Sequence, residues 1–299
     1  MDKIIGLIGC GRWGRNILRD LLSLECRVIV ADPLPQARET ALRMGAELAV
    51  ENSSLMDDYS CDGYIIASPI LTLPDESGKM LQRGKPVFCE KPVFITAEEK
   101  ERLLTAGAAE RLFAMYKFCY HPGIDALRLI VASKELGQVE AVILRRLNWD
   151  DDFQETDCLW LAGVHQISIA HRLLGYVPEP EMASVSLHDG IVTAASITLG
   201  KSLPVMITIS SRHPVKEMSV AVLCSGGVAL LPDPYAGAIV IKKDGHGDEQ
   251  RRISKEMPLL LELKDFLKYL QNGCQPRCGF DMAAGVSSTI CKIRHIASV

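Results

Sequence analysis

The sequence has no apolar run approaching the ~20 residues that a membrane-spanning helix requires, so no membrane segment is expected. It also lacks a low-complexity tract, an internal repeat and a long linker, which leaves ordinary globular domains as the architecture to consider. Charge of one sign is not in excess: 33 basic against 37 acidic residues give a net charge of −4. With a pI near 6.0, there is no electrostatic footprint for nucleic acid or an acidic membrane surface. No charged-then-apolar segment opens the chain, and a signal peptide is not expected. Cysteine spacing of the zinc-site kind is missing too. The ten cysteines are scattered, and Cys10, Cys61, Cys89 and Cys224 fall in or beside strand-like segments. That is the pattern of buried reduced thiols and of a cytoplasmic protein. Cys274 and Cys278 have no second pair or histidine cluster near them, and no EF-hand spacing follows Asp150-Asp151-Asp152. No metal site is predicted.

At 299 residues the chain is long enough for two domains, each with its own core. Its most informative stretch comes first. Lys3-Ile4-Ile5-Gly6-Leu7-Ile8 is an apolar run that ends in Gly9-Cys10-Gly11-Arg12-Trp13-Gly14, and a helical pattern starts at Ile17, Leu18, Leu21 and Leu22. Strand, Gly-x-Gly-x-x-Gly turn and helix is the order a dinucleotide-binding βαβ unit requires. In that reading Gly9 makes the tight turn, Gly11 lets a pyrophosphate approach the backbone and Gly14 lets the helix pack on the strand. The helix N-terminus offers its unpaired N–H groups to the anion. Arg12 and Trp13, inside the fingerprint, are assigned to the cofactor with it. A second β-branched strand, Arg27-Val28-Ile29-Val30-Ala31, ends in Asp32, where an acid would hold the adenine ribose 2′-hydroxyl. The alternative for Asp32 is a turn residue before Pro33 and Pro35. No arginine follows Asp32 immediately, so NAD is preferred to NADP.

Through residue 118 short apolar strands alternate with helical stretches, as in a parallel sheet covered on both faces. Helices are expected at 36–44, at 73–84, and from the capping box Thr96-Ala97-Glu98-Glu99 to 109. Strands are expected at 63–68, 86–91 and 112–118. Two strand ends draw attention because ligands bind at the carboxyl edge of such sheets. One is the turn at Ser68-Pro69; the other is Glu90-Lys91-Pro92. Beyond Tyr120-His121-Pro122 a helix at 123–134 precedes strands at 139–147, 182–187, 192–199, 204–210, 218–224 and 238–242. Their apolar–polar alternation suits an antiparallel sheet with one covered face. Helices at 159–174, 258–271 and 281–297 complete the pattern. The predicted fold is α/β: a Rossmann dinucleotide-binding domain over 1–118, then a second α/β domain with an open, mostly antiparallel sheet over 119–299.

Four features recur in this order in one family: the glycine motif, Ala67-Ser68-Pro69, Glu90-Lys91-Pro92, and Leu159-Trp160-Leu161-Ala162-Gly163-Val164-His165. Over essentially its full length the sequence resembles the glucose–fructose oxidoreductase, inositol dehydrogenase and rhizopine-catabolism (Gfo/Idh/MocA) family. Tyr120-His121-Pro122, Arg146-Leu147-Asn148-Trp149 and Pro214-Val215-Lys216 look closest to its bacterial nucleotide-sugar members. The resemblance implies an NAD(P)-dependent oxidoreductase acting on a sugar or nucleotide-sugar hydroxyl or keto carbon. It also implies a homodimer or homotetramer built through the open sheet. By motif, Lys91 contacts substrate and nicotinamide ribose, Glu90 supports its turn, and His165 handles the proton. Tyr120, Arg146, Asn148 and Lys216 match substrate-facing positions, with solvated strand ends as their alternative.

The chemistry fits those residue types. Removing hydride from a secondary alcohol requires a group that takes the hydroxyl proton near neutrality, and histidine does this. A lysine beside the oxygen stabilises the developing alkoxide. One departure stands out. Family dehydrogenases acting on polyols usually carry an aspartate one helical turn before the histidine, where this chain has Leu161. Ser168 stands where an acid is frequent after it, and Leu73 where a histidine is frequent. Either Lys91 and His165 suffice, or the chain is a catalytically impaired dinucleotide-binding sensor or partner subunit. Asp157 is the nearest acid that could compensate.

Overall fold

The computed structural model describes residues 3–57, 59–149 and 157–299. Asp150-Asp151-Asp152 therefore lies outside the described residues. The chain divides into two compact units: residues 1–117 with 259–284, and 118–258 with 285–299.

The first unit holds six parallel strands: β1 Ile4–Ile8, β2 Arg27–Ala31, β3 Leu48–Val50, β4 Gly63–Ile66, β5 Val87–Glu90 and β6 Leu112–Met115. Their order is β3-β2-β1-β4-β5-β6. Strand order reverses at β1, and the crevice at the carboxyl ends of β1 and β4 is where such sheets take ligands. Register aligns those ends: Ile8 pairs with Ala31 on one side and with Ile66 on the other, and Ile66 pairs with Cys89. Gly9, Asp32, Ala67 and Glu90, each at or just past a paired terminus, are thus brought to one edge. Connecting helices are α1 Arg12–Ser23, α2 Pro35–Met44, α3 Leu73–Gln82, α4 Ala97–Thr105 and α5 Ala108–Arg111. Thr96 and Glu99 form the expected capping box. Cys10, Cys61 and Cys89 are buried free thiols.

The core of this unit includes a helix from the far end of the chain. Ile5, Leu7, Val28, Val30, Ile65, Phe88 and Phe113 pack with Ile17, Leu18 and Leu21 of α1 and with Leu259, Leu263 and Phe266. The last three belong to α8, Pro258–Asn272. Phe266 stacks on Phe88 at 5.1 Å, and Tyr269 meets Phe113 edge-on at 4.7 Å.

The second unit is built on β7 Val139–Trp149, β8 Pro180–His188, β9 Ile191–Leu199, β10 Val205–Ser210, β11 Arg212–Cys224, β12 Gly227–Leu231, β13 Ala238–Lys242 and β14 Glu249–Arg252. The sheet order is β14-β13-β12-β11-β7-β10-β9-β8. Every neighbouring pair is antiparallel except β10 with β7. Alternation decides the faces. Val142, Leu144, Ile207, Ile209, Val220 and Val222 are buried; on this face β11 packs against α6 Pro122–Ser133, β7 against α7 Val164–Leu174, and β10 against residues 159–163. On the opposite face Met182 is 65% exposed and Ser184, Ser196 and Met206 are open to solvent. Arg172 of α7 joins Asp125 of α6 at 2.6 Å. The last helix, α9, is Phe280–Ile296. Among the described residues no helix is long and apolar enough to cross a membrane.

Because Phe266 is fully buried between Phe88 and Phe113, Phe266→Ala should destabilise the first unit by about 3–5 kcal/mol. Urea unfolding followed by circular dichroism reads this; a loss below about 1 kcal/mol would show that α8 contributes little to that core.

Candidate active site

Gly9 follows β1 at φ +92°, a conformation that side chains other than glycine rarely adopt. A Cβ placed there would stand 2.5 Å from the Ala67 carbonyl oxygen, and one on Gly14 would overlap the Gly9 carbonyl oxygen. Both glycines are therefore required by the protein's own packing. Gly11 is different. It caps α1 at φ −68°, which any residue accepts, and a Cβ there would meet no atom within 4 Å. No side chain caps the helix, so its first N–H groups point into the space that Gly11 keeps open. An anion such as a pyrophosphate fits that cradle.

Asp32, 6% exposed, closes the adjoining corner. One carboxylate oxygen accepts the Cys10 N–H at 2.7 Å and the other accepts the Leu34 N–H at 2.9 Å. The residue thus ties the glycine turn to the end of β2, and each oxygen keeps lone-pair capacity for a ribose hydroxyl. On the other side of β1, the Thr72 hydroxyl donates to the Pro69 carbonyl at 2.8 Å and lies 2.9 Å from the Ser68 hydroxyl, whose proton it can accept. These bonds shape the turn after β4.

Glu90 links the glycine helix to the lysine. Its carboxylate accepts the Trp13 indole N–H and the backbone N–H of Lys91 at 3.2 Å. Burial pushes the Glu90 carboxyl up, against the pull of Lys91, the Trp13 N–H and Lys117. Lys91 is half-buried at the end of β5, and Arg12 is exposed at the start of α1. Lys117, absent from the sequence-based assignment, lies over the Trp13 ring at 4.6 Å. Its signal was its place just after β6, at the same carboxyl edge.

The second unit gathers its candidates around Phe118. His165, 3% exposed, sits in a wholly buried segment of α7, and its ring meets Phe118 edge-on at 5.1 Å. Arg146 lies over the same ring at 5.4 Å, on the covered face of β7 that it shares with Asn148. Phe118 and His121 are 6.3 Å apart. The His121 Nδ1 accepts the Gly123 N–H at 3.0 Å, which makes Nε2 the protonated nitrogen that donates to the Pro234 carbonyl at 2.7 Å. Lys216, in the irregular stretch of β11, is exposed and lies 5.9 Å from the ring of Tyr235, the residue after Pro234. Tyr120 is 1% exposed. His121 and Phe118 were not among the sequence-based assignments, and only their neighbourhood to Tyr120 flagged them.

The helix that carries His165 begins with a five-residue π-turn, Leu159–Gly163. Such turns are uncommon and recur at functional sites. Asp157 is not placed as a substitute for an acid at Leu161. Its Oδ1 accepts the Leu159 N–H at 2.8 Å and its Oδ2 pairs with Arg294. Burial raises its carboxyl despite both contacts. The Ser168 hydroxyl turns back to the His165 carbonyl at 2.8 Å. Among the described residues no group of three His, Cys, Asp or Glu side chains could hold a metal.

Residues 3–118 match the model of the Gfo/Idh/MocA oxidoreductase family, NAD-binding Rossmann fold. Over those residues the chain is similar to this oxidoreductase family. Similar proteins include inositol 2-dehydrogenase of Burkholderia vietnamiensis, 28% identical over 260 residues, with 79% of this chain and 76% of that protein covered. An oxidoreductase from Agrobacterium radiobacter in complex with NAD+, L-tartaric acid and magnesium has a TM-score of 0.89 at 15% identity, covering 100% of this chain and 97% of that one. UDP-N-acetylglucosamine 3-dehydrogenase from Acidithiobacillus ferrooxidans has a TM-score of 0.86 at 19% identity, covering 99% and 98%. At those identities the likeness to the two structures is one of fold. The glycine fingerprint and Asp32 lie within the segment that matches the NAD-binding Rossmann model, and the cradle at Gly11 fits such a cofactor.

His121 carries a pH dependence. Burial lowers it from the ordinary 6.5, and the Pro234 bond, Asp125 and Asp233 oppose the shift. Its neutral ring is the form that can accept from Gly123. A depressed folded value means that the unfolded chain binds the extra proton first. The stability His121 contributes is therefore full above about pH 6.5 and is lost as pH falls through its folded value. His171 is lowered by burial in the same direction. Urea unfolding between about pH 5 and 7.5 should show stability rising with pH, with a flatter slope in His121→Gln that His171 keeps above zero. An unchanged slope in that variant would remove His121 from the account.

Proposed function

We propose that this chain is an NAD-dependent dehydrogenase of a secondary alcohol on a sugar or sugar-like polyol, nucleotide-linked sugars included. The observation that carries the reading is Gly11. It is a glycine that the protein's own packing does not require, and it stands where an anion would approach the uncapped helix beside the pinned carboxylate of Asp32. Support for the substrate class comes from a relative named as an inositol dehydrogenase and a structural neighbour named as a UDP-N-acetylglucosamine dehydrogenase.

Hydride acceptance is the chemistry that bound NAD supplies. The rest falls to side chains. His165 takes the hydroxyl proton as the alcohol is oxidised and returns it when the ketone is reduced. Phe118 against one edge of its ring limits how that imidazole turns. Lys91 stabilises the developing alkoxide with its ammonium. Glu90 fixes the lysine's backbone through the 3.2 Å bond and joins it to Trp13 of the glycine helix. Gly9, Arg12, Gly14, Ser68 and Pro69 complete the cofactor's contacts. Tyr120, Arg146, Asn148 and Lys216 serve the substrate, with Arg146 and Lys216 suited to a phosphate or carboxylate. With Leu161 in place of an acid, the proton passes from His165 without a carboxylate partner at that position.

The same reading includes a homo-oligomer in the cytoplasm. Ile143, Ala221 and Leu230 lie side by side on the uncovered face of the second unit's sheet, where they are half-buried, and a second copy would cover them. Light scattering should give a dimer or tetramer, and Ala221→Arg should shift it toward monomer. A monomeric wild type at high concentration would rule this part out.

The catalytic assignment is tested by single turnover of the NAD complex with polyols, free sugars and nucleotide sugars. Turnover on one class is expected, reduced about 10²–10⁴-fold in His165→Ala and comparably in Lys91→Ala. Tight NADH binding without turnover on any class would instead favour a dinucleotide-binding sensor.

A further inference from the structure

Arg38 stands in the first turn of α2, six residues beyond Asp32. Its Nη1 donates to the carbonyl oxygens of Asp32 and Pro33, each at 2.8 Å. These are the two carbonyls that follow β2 at the carboxyl edge, so the guanidinium is tethered to the same corner whose carboxylate holds Cys10 and Leu34. Several arginines of this unit end on carboxylates, such as Arg27 on Glu47 at 2.5 Å and Arg102 on Asp75 at 2.9 Å, while Arg15 and Arg111 bond a single backbone carbonyl each. Arg38 is held by two neutral carbonyls at the end of β2, and its positive charge stays at the corner.

A guanidinium carries five N–H donors in a planar fork. The two on Nη1 serve the carbonyls, and among the described residues Nε and Nη2 make no hydrogen bond. The side chain is half-buried, so it is restrained without being sealed from solvent. A ribose corner of this kind reads a 2′-hydroxyl through an acid or a 2′-phosphate through a nearby arginine. Here both groups are present, and both are fixed by the same turn of backbone. Asp32 alone would repel a 2′-phosphate. Arg38 offsets that repulsion and presents two nitrogens of one fork to a dianion, the geometry that makes arginine a phosphate ligand.

We propose that Arg38 is a specificity-determining residue that gives the 2′-phosphate of NADPH a partner, so that the chain binds NADPH as well as NADH. This rests on the reading that the Asp32 corner holds the adenine ribose. The preference for NADH set by Asp32 is thereby held to about tenfold, in place of the larger ratio a carboxylate alone would impose.

The test is fluorescence titration of NADH and NADPH into the wild type, Arg38→Ala and Arg38→Gln, with melting temperatures recorded for each. The glutamine variant keeps an N–H donor for the carbonyls and loses the charge, which covers the case in which alanine disturbs the turn. In the wild type NADPH should bind within about tenfold of NADH and weaken more steeply with added salt. In both variants NADPH affinity should fall about tenfold or more, NADH affinity should change by less than about threefold, and the extra salt dependence should disappear. An equal loss for both dinucleotides would make Arg38 a holder of the backbone turn and overturn the proposal. So would an unchanged NADPH affinity in Arg38→Gln. A wild type that binds neither dinucleotide would instead count against the proposed dehydrogenase function itself.

Discussion

The first unit depends on one buried carboxylate. Asp32 accepts a backbone N–H from the glycine turn at 2.7 Å and another from the start of the next connection at 2.9 Å. Hydrogen bonds to an ionised acceptor are roughly twice as strong as neutral ones, and the one to Cys10 is buried while the one to Leu34 is partly so. They set the spacing between the β1 and β2 ends. Through Gly9 and its contact with Ala67 they also set the turn after β4. A glycine turn without this tie would keep its sequence and lose its fixed shape. The open space at Gly11 and the tethered guanidinium of Arg38 both depend on that fixed shape.

The second unit supports its histidine by other means. His165 lies in a buried helix segment against Phe118 and follows a π-turn whose first N–H, that of Leu159, is accepted by Asp157. Phe118 is the shared contact of His165, Arg146 and His121. A neutral His121 continues the chain of contacts to the loop of Pro234 and Tyr235. The ring packing restrains the orientation of each side chain, as the proton transfer proposed for His165 requires.

Much of this was legible in the sequence, because the decisive signals are local. The run into Gly9, the β-branched strand ending at Asp32 and the capping box at Thr96 each follow from residue types at fixed spacing, and each appears where expected. Segments with weaker patterns escaped. β14 Glu249–Arg252 reads Glu-Gln-Arg-Arg and has no apolar alternation to betray a strand; pairing with β13 makes it one. β3 Leu48–Val50 and β12 Gly227–Leu231 are too short to stand out. Packing of α8 in the core of the first unit depends on contacts between residues some 150–250 positions apart, which periodicity does not encode. Arg38 was passed over for a related reason. Spacing along the chain suggested that no arginine was close to Asp32, whereas the first turn of α2 folds it back onto the Asp32 carbonyl.

Gly11 is open for a dinucleotide and for nothing in the protein itself. The most direct measurement is NADH titration into the wild type and Gly11→Ala, with the melting temperature of each recorded alongside. A Cβ there meets nothing within 4 Å and the backbone conformation suits alanine. The account therefore predicts a melting temperature within about 2 °C of the wild type and an NADH affinity lower by about tenfold or more. Unchanged NADH affinity in a stably folded Gly11→Ala would contradict it.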